Sequence, residues 1–384
     1  MNEMNSIGEI NQISEMKTFV IYDVLKKLTD AVGVSGNESS GAGSISNVAL
    51  ELLKEYAPDA TLDCHGSVTG ILGGNASIDK SKPTIMLDAH IDQIGLIVIY
   101  KESDETTNNN GFVKAEPCGG IDRRCLAGQR VTVHTKTGAV GGIVCTLPPH
   151  VMAGKANNSI KADEIWLDVG DDKSQIALGD VVTIDGELTP LLTKQSKTVS
   201  APALDDRAGV CAILHALYLL KRVLDKGNQG DSLPWNVAVS FSVQEEIGCR
   251  GAEVTAYNLE PDYAIVVDVS YGLSPGCPEH KCGKLGGGVM VGYAPSLNRT
   301  MFEMLKNTAL DKNIPHQLEI MSRDTGGTNA DSISTVKGGV KTALLSIPLR
   351  YMHTPVETLD LSDVEATGKL IAEFISGVGG ANSA

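Results

Sequence analysis

Two adjacent carboxylates, Glu245 and Glu246, stand near the end of the stretch Val237–Gly248 and are suited to chemistry. The first half of this stretch alternates apolar and small residues and is rich in β-branched side chains, which predicts a buried strand. Neighbouring side chains on an extended chain point in roughly opposite directions. One carboxylate could therefore bind a metal ion while the other faces a reacting water molecule. A Glu-Glu pair alone is more often a solvated part of a loop.

Other candidate ligands also follow predicted apolar strands. His90, Asp268 and His353 each come at or soon after the end of such a strand. In open α/β sheets, the carboxyl ends of the strands form the ligand crevice. Asp205 differs because it stands where a helix should begin, a position at which Asp commonly caps the helix. Each of these residues taken singly is more often structural, so the prediction of a site depends on their convergence.

Taken together, the two imidazoles and the carboxylates indicate a two-metal site. Neutral imidazole and carboxylate oxygen suit zinc, cobalt or manganese. The set is too large for one closed tetrahedral site, but it suits two ions that share a carboxylate. Asp92 lies two residues after His90, on the same side of a strand. It can accept the other ring N–H of the histidine, or it can be an ordinary solvated acid.

The spacing of apolar residues also predicts the elements that must position these side chains. Helices are predicted over 19–32, 44–56, 205–223, 298–312 and 364–375. Strands are predicted over 60–72, 84–87, 94–100, 237–243, 263–267, 289–291 and 342–347. Short alternating runs between Gly, Asn and Asp turns predict a β-rich insert. We expect an α/β fold with a flexible arm at 1–16, a catalytic domain at 17–96 and 194–384, and a β-rich domain at 97–193.

The composition argues against several kinds of partner and location. A net charge of −15 over 384 residues disfavours binding to nucleic acid and to anionic membranes. No apolar run reaches the roughly 18 residues of a membrane span, and the first 16 residues do not have the pattern of a signal peptide. The eight scattered cysteines fit reduced thiols in the cytoplasm. The spacing of Cys277 and Cys282 is not that of a standard zinc pair.

In five ordered motifs the sequence resembles the M42 metallo-aminopeptidases. These are peptidases of the glutamyl and deblocking aminopeptidase type that form tetrahedral dodecamers, and older naming often labels them endoglucanase M. The motifs are Asp88–Gly95, Ala203–Gly209, Val243–Ala252, Val266–Val269 and Arg350–Glu357. Weaker similarities extend the resemblance from about residue 18 to the C-terminus.

The resemblance implies a metal-ligand set for this chain. One ion would be bound by His90, Asp205 and Asp268, and the second by Asp205, Glu246 and His353, so that Asp205 bridges them. The ions would be two divalent cations, with zinc the first expectation and cobalt or manganese as alternatives.

It also implies further roles. Glu245 would be the general base and Asp92 would orient His90, while the Asp205–Asp206 peptide bond could be cis. The fold would be a mixed-sheet domain like that of zinc peptidases, with an inserted β-barrel-like domain that forms dimers, and these would assemble into a homo-dodecamer. The activity would be hydrolysis of N-terminal residues from short peptides.

Two departures from the family pattern bear on specificity. The family usually has Glu where this chain has Gln93, and Gly-Thr-Asp-Ala where Asn329 replaces the Asp. The preferred N-terminal residue, the physiological metal and the size of the oligomer stay open.

Three alternatives for the function also stay open. The nearest is a related di-zinc hydrolase that acts on acylated amines or on peptides with blocked N-termini. Glycoside hydrolysis is disfavoured because adjacent glutamates do not naturally flank a sugar bond at about 5 Å or 6.5–9.5 Å. A non-catalytic metal-binding scaffold is the third.

Overall fold

A computed structural model describes residues 19–41, 43–101, 111–148, 150–151, 160–191, 197–226 and 233–377. The α-helices are α1 Ile21–Thr29, α2 Ile45–Lys54, α3 Leu204–Lys226, α4 Arg250–Leu259, α5 Arg299–Asp311, α6 Asn329–Ser334 and α7 Leu361–Gly377. The first strands are β1 Thr61–Leu62, β2 Val68–Ile71, β3 Thr84–His90, β4 Gly95–Lys101, β5 Phe112–Cys118, β6 Arg130–Thr135, β7 Gly138–Val144, β8 Trp166–Asp168 and β9 Val181–Ile184. The remaining strands are β10 Thr189–Pro190, β11 Thr198–Ala201, β12 Asn236–Ser242, β13 Tyr263–Tyr271, β14 Val289–Tyr293, β15 His316–Ile320, β16 Lys341–Leu349 and β17 Glu357–Asp360.

The largest sheet has eight strands in the order β1-β2-β12-β3-β13-β16-β14-β15. Its four central strands, β12, β3, β13 and β16, run parallel to one another, so their carboxyl ends lie at one edge. The register pairs Ser242 with His90 on the neighbouring strand, and Val266 with Asp88. Asp268 and His90 each come two residues after that second pair and therefore lie at the same level of the sheet. Strand pairing thus places candidate ligands side by side.

Helices cover both faces of this sheet and bury its central strands. Along β13, Ile265 belongs to the core cluster that includes α3 and α7, while Ala264 and Val266 belong to the cluster that includes α4 and α6. Successive side chains of a strand point to opposite faces, so a strand covered on both sides needs apolar residues at every position. This requirement explains the uninterrupted apolar run 263–267 of β13. In β12 the run is interrupted by Ser240, which is buried and hydrogen-bonded to Thr255.

The segment from Gly95 to Ile184 contains a closed barrel in the order β4-β5-β8-β7-β6-β9, and the barrel has a hydrophobic core of its own. A third sheet, of three strands, has the order β10-β11-β17. The mixed α/β sheet and the barrel confirm the predicted fold class. The domain boundaries at 96/97 and 193/194 stay a prediction, and the arm at 1–16 lies outside the described residues.

The prediction of a single strand over 60–72 is wrong in its middle. The chain forms the short strands β1 and β2, which pair antiparallel across a turn. In this turn the Asp63 carboxylate accepts hydrogen bonds from the backbone N–H groups of His65 and Ser67. A short polar side chain that bonds the backbone two to four residues ahead offers an alternative to the extended conformation.

Several elements were not predicted, α4 and β15 among them. Helix α4 buries small residues, Gly251, Ala252, Thr255 and Ala256, so it lacks a stripe of large apolar side chains. Within the described part of the chain, none of the helices combines the length and the hydropathy needed to cross a membrane.

Candidate active site

His90, the last residue of β3, is held at one ring nitrogen and points the other into the site. Its Nδ1 lies 3.2 Å from the backbone oxygen and 3.4 Å from Oδ1 of Asp92. Its Nε2 lies 3.0 Å from Oδ1 of Asp205. Burial disfavours the imidazolium, but the hydrogen bonds with Asp205 and Asp92 outweigh burial and raise the pKa of His90 well above its usual value. A carboxylate that fixes the orientation of the ring is a common partner of metal-binding histidines.

Asp205 stands just before the regular part of α3 and faces both histidines. Its backbone is non-helical, and its peptide bond to Asp206 is cis, as the resemblance implied. Oδ1 approaches His90, while Oδ2 lies 3.4 Å from Nε2 of His353. Burial alone would raise the pKa of Asp205, but the hydrogen bonds with His353 and His90 lower it below its usual range.

The helix cap is supplied by Asp206. Its Oδ1 accepts a hydrogen bond from the backbone N–H of Gly209 at 3.0 Å, which is the contact expected of an N-terminal cap. The cap that the sequence allowed at Asp205 therefore belongs to the next residue, and the Asp205 side chain is left for the site.

His353 follows β16 and is oriented by the segment that leaves the barrel strand β5. Its Nδ1 lies 2.9 Å from the backbone oxygen of Gly120, and its Nε2 lies 3.4 Å from Oε2 of Glu246. A Cβ atom at Gly120 would come within 2.9 Å of Nδ1, so this close approach requires glycine. Hydrogen bonds with Asp205 and Glu246 raise the pKa of His353 to about 11.

The turn that carries Glu245 and Glu246 is fixed by Asp92. The Asp92 carboxylate accepts hydrogen bonds from the backbone N–H groups of Glu245 at 3.0 Å and Glu246 at 3.2 Å. Ser35 donates a third, at 2.6 Å. Asp92 therefore positions both His90 and the two glutamates. Burial, with help from the carboxylates of Glu246 and Asp205 and against the effect of His90, raises the pKa of Glu245 to about 7.

The candidate ligands form two groups that share Asp205. His90, Asp205 and Asp268 offer ligand atoms that all lie within 4.8 Å of one another, and so do Asp205, Glu246 and His353. Two imidazole nitrogens face carboxylate oxygens, and this donor set suits a divalent transition metal. Burial raises the pKa of Asp268 well above its usual value; His90 acts against this, and the carboxylates of Glu245 and Asp205 add to it. A cation would offset this repulsion, so the residues fit the metal ions that the sequence predicted.

Glu357 has a structural role that the sequence did not reveal. One oxygen accepts from the backbone N–H of His353 at 2.8 Å and the other from that of Asp205 at 3.1 Å. This buried carboxylate therefore ties together two backbone segments that carry candidate ligands. Its position four residues after His353 was visible, but nothing in that spacing shows that it reaches the start of α3.

Asn329, the departure on α6, is buried beside the site. Its Nδ2 donates hydrogen bonds to Oδ2 of Asp88 and to Oγ of Ser242, both at 2.9 Å. Asp88 is completely buried, and burial raises its pKa to about 6 although Asn329 and Ser242 hydrogen-bond to it. Because Asp88 already places a carboxylate here, an amide at position 329 can donate to it where a second carboxylate would repel it.

Known proteins are similar to this chain over most of its length. The family model of M42 glutamyl aminopeptidase matches residues 69–370. A lysyl aminopeptidase from Pyrococcus furiosus is 33% identical over 356 residues, which cover 91% of this chain and 95% of that protein.

Two solved structures are similar over almost the whole chain. An aminopeptidase from the archaeon Desulfurococcus kamchatkensis has a TM-score of 0.81 and 31% identity, and the match covers 93% of this chain and 95% of that one. The Pyrococcus horikoshii TET1 peptidase, which can assemble into a tetrahedron or a large octahedral shell, has a TM-score of 0.76 and 27% identity over 94% of this chain and 100% of its own. The family match, the relatives and the shared fold agree with one another, and this chain belongs to the M42 peptidase family and is an aminopeptidase, a peptide hydrolase.

Proposed function

We propose that this protein is a di-metal aminopeptidase that removes N-terminal residues from short peptides. The observation that carries the proposal is the placement of Asp205, whose two oxygens face the Nε2 atoms of His90 and His353. A carboxylate between two imidazoles, each held at its Nδ1, is suited to bridge two cations. We assign His90, Asp205 and Asp268 to one ion and Asp205, Glu246 and His353 to the other. Zinc is the first candidate, with cobalt and manganese as alternatives.

Glu245 is the residue we assign to proton transfer. The bound ions would lower the pKa of a water molecule and polarise the scissile carbonyl. Glu245 accepts the proton of the attacking water and passes it to the leaving amine. A carboxylate that reaches both the attacking water and the leaving nitrogen can accept the proton first and donate it afterwards. Asp92 holds the backbone of this glutamate and thereby its direction.

The surroundings of the site favour a substrate with a free N-terminus. Buried or half-buried carboxylates surround the two candidate metal positions. A free α-amino group in its neutral form has a lone pair that could bind one of the two ions, whereas the nitrogen of an acylated amine is an amide and a poor metal ligand. This preference separates the aminopeptidase from the related deacylase that acts on blocked N-termini.

For the assembly, we propose dimers formed by the barrel and a dodecamer built from these dimers. The barrel exposes apolar side chains at Ile99 and Tyr100 on β4, Ile143 on β7 and Leu147 just beyond it. Large apolar side chains that a barrel leaves exposed can become buried in an interface between subunits. The Pyrococcus horikoshii TET1 peptidase, which has the same fold, can assemble into a tetrahedron or a large octahedral shell. The size of the particle can be measured by light scattering of the purified protein, and a variant with Ile143→Lys and Tyr100→Glu should give smaller particles.

The test of the activity is a panel of aminoacyl-nitroanilides assayed on chelated protein, with zinc, cobalt or manganese added back singly. We expect loss of activity on chelation and recovery with at least one of the cations. Parallel assays use N-acetylated aminoacyl-nitroanilides and cello-oligosaccharides. Cleavage of only the acetylated compounds would favour the deacylase, cleavage of sugars the glycoside hydrolase, and metal uptake without any turnover a scaffold. A cytoplasmic location stays a prediction.

A further inference from the structure

The segment between β13 and β14 contains a small loop that is closed by its own backbone. Leu273 N–H donates to the oxygen of Gly283 at 2.7 Å, and Gly283 N–H donates to the oxygen of Tyr271 at 2.9 Å. Inside the loop, Cys277 N–H donates to Ser274 O at 3.1 Å. These bonds hold the loop in one closed shape.

Two cysteines lie within this loop, and the backbone bonds that close it bring the segments carrying them together. Cys277 is exposed and Cys282 is half-buried, and both are free thiols. Cys282 N–H donates to Glu279 O at 3.2 Å, which turns the chain back after Cys277. Partial burial and then the Coulomb and hydrogen-bond contact with the Cys277 thiol raise the pKa of Cys282. The hydroxyl of Ser274 lies 3.2 Å from Sγ of Cys277.

The loop is also attached to the strand that leads to His353. Gly272 N–H donates to the oxygen of Leu349 at 2.6 Å, and Nε of Arg350 donates to the oxygen of Leu273 at 2.7 Å. The base of the loop is therefore anchored, while the exposed thiol of Cys277 stays accessible to a small reagent. The anchored base keeps the two cysteines close without a covalent link.

We propose that Cys277 and Cys282 are a reversible dithiol–disulfide site that exchanges with low-molecular-weight disulfides such as oxidised glutathione. The Cys277 thiolate attacks one sulfur of the oxidant, which forms a mixed disulfide and releases one glutathione thiolate. The Cys282 thiolate then attacks the Cys277 sulfur, and the second glutathione thiolate leaves. The two protein thiols lose two electrons and two protons in total, and oxidised glutathione is reduced to two glutathione molecules.

The two cysteines have different roles in this exchange. Cys277 is the more exposed and reacts with the oxidant first, and Cys282 resolves the mixed disulfide because the closed loop holds it near the attacked sulfur. The exposed Cys64 lies in the turn between β1 and β2 and serves as the comparison. It should form at most a mixed disulfide.

The experiment uses the full-length protein with its metals in glutathione buffers of stepped redox ratio at about pH 8, where an ordinary thiol is partly ionised. Free thiols are blocked with iodoacetamide, and the protein is digested with trypsin and analysed by mass spectrometry without reduction. Trypsin cleaves after Lys281, inside the ring, so an intact disulfide leaves the two cysteine peptides linked. We expect linked peptides that appear as the buffer becomes more oxidising and disappear when it is made reducing again.

Two variants separate a disulfide from independent oxidation. In Cys282→Ser, the mixed disulfide of Cys277 with glutathione should accumulate about tenfold over the unchanged protein, because the resolving thiol is gone. In Cys277→Ser, the linked peptides should be absent, and Cys64→Ser should leave them unchanged. The proposal is wrong if the unchanged protein carries separate glutathione adducts at the two cysteines, or if both stay alkylated under conditions that modify Cys64.

Discussion

Arg207 donates a hydrogen bond from Nη2 to Oε1 of Gln93 at 2.6 Å, and both side chains are buried. The other acceptors of this guanidinium are backbone oxygens, among them that of Ile91 at 3.4 Å. Ile91 lies between His90 and Asp92, so Arg207 holds the backbone from which both side chains reach the site. Burial lowers the pKa of Arg207 to about 9, although Asp92 and Glu357 favour its charged form. The amide oxygen of Gln93 thus accepts the hydrogen bond of Arg207 at a position where the family usually has a carboxylate.

Replacing Gln93 tests this contact. Gln93→Leu should lower the free energy of unfolding by about 1–3 kcal/mol, because it leaves a buried guanidinium N–H without an acceptor. Gln93→Glu keeps an acceptor and should stay within about 1 kcal/mol of the unchanged protein, since the gain from pairing two charges is offset by the burial of a new one. Urea unfolding at saturating metal concentration measures the free energy of unfolding of both variants. Equal stability of the Leu variant and the unchanged protein would contradict the assigned contact.

Glu245→Gln should retain the bound metal and lose most turnover. The amide keeps the shape of the side chain but cannot accept the proton of the attacking water, and positioned proton transfer contributes about 10²–10⁴-fold to rate. The measurement is kcat for an aminoacyl-nitroanilide together with the metal content of the same preparation. Glu253→Gln, a change of an exposed glutamate on α4, is the matched control. Full activity of the Glu245 variant would refute its role as the general base.

The shared carboxylate predicts unequal metal losses. His353→Ala and Asp268→Asn should each remove about one metal equivalent, because each residue belongs to one of the two groups. Asp205→Ala should weaken both sites, because its two oxygens face both histidines. Metal content after dialysis against a weak chelator distinguishes these patterns. If the Asp205 variant kept one tightly bound ion, the bridging assignment would be wrong.

Asp92→Asn should reduce metal affinity by about 10–100-fold, as expected when the partner of a ligand histidine is lost. It should also reduce kcat at saturating metal, because the Asp92 carboxylate accepts from the backbone of Glu245. Ser35→Ala removes a single hydrogen bond to the same carboxylate and should have a much smaller effect on both quantities. Metal titrations followed by kinetics at saturating metal give the two readouts separately. If the Asp92 variant lost metal affinity but kept its kcat, Asp92 would orient His90 without helping to position Glu245.

His215 on α3 predicts a pH dependence of stability away from the site. Burial lowers its pKa from 6.5 to about 4 in the folded protein. The unfolded chain therefore binds more protons between these values, so the free energy of unfolding falls as the pH drops from 6.5 towards 4. The full effect is about 3 kcal/mol at 1.36 kcal/mol per pKa unit. In His215→Leu the fall across this window should be smaller by about that amount, as measured by urea unfolding at several pH values.

The exposed His65 supplies the control for this series. His65→Leu should follow the pH profile of the unchanged protein. Parallel profiles for the His215 variant and the unchanged protein would show that the folded state protonates this ring normally.

Much of the frame of the site could be predicted from the sequence, because it depends on local patterns. The apolar runs before His90, Glu245 and Asp268 are strands, and their carboxyl ends meet at one edge because the strands are parallel. A period of two and an uninterrupted apolar run are properties of neighbouring residues, so they can be recognised without knowing the fold. The polar turn at Asp63 and the small-residue helix α4 were not predicted because neither has a strong apolar period.

The chemistry within that frame depended on contacts between distant parts of the chain. The sequence allowed a helix cap at Asp205, but the tertiary structure gave the cap to Asp206 and turned Asp205 towards His90 and His353. The bond from Glu357 to the backbone of Asp205 likewise joins residues that are far apart in the chain. Local periodicity selects which residues lie at a sheet edge, but the direction of a side chain there is fixed only by the groups that pack around it. Residue order along the chain does not specify those groups.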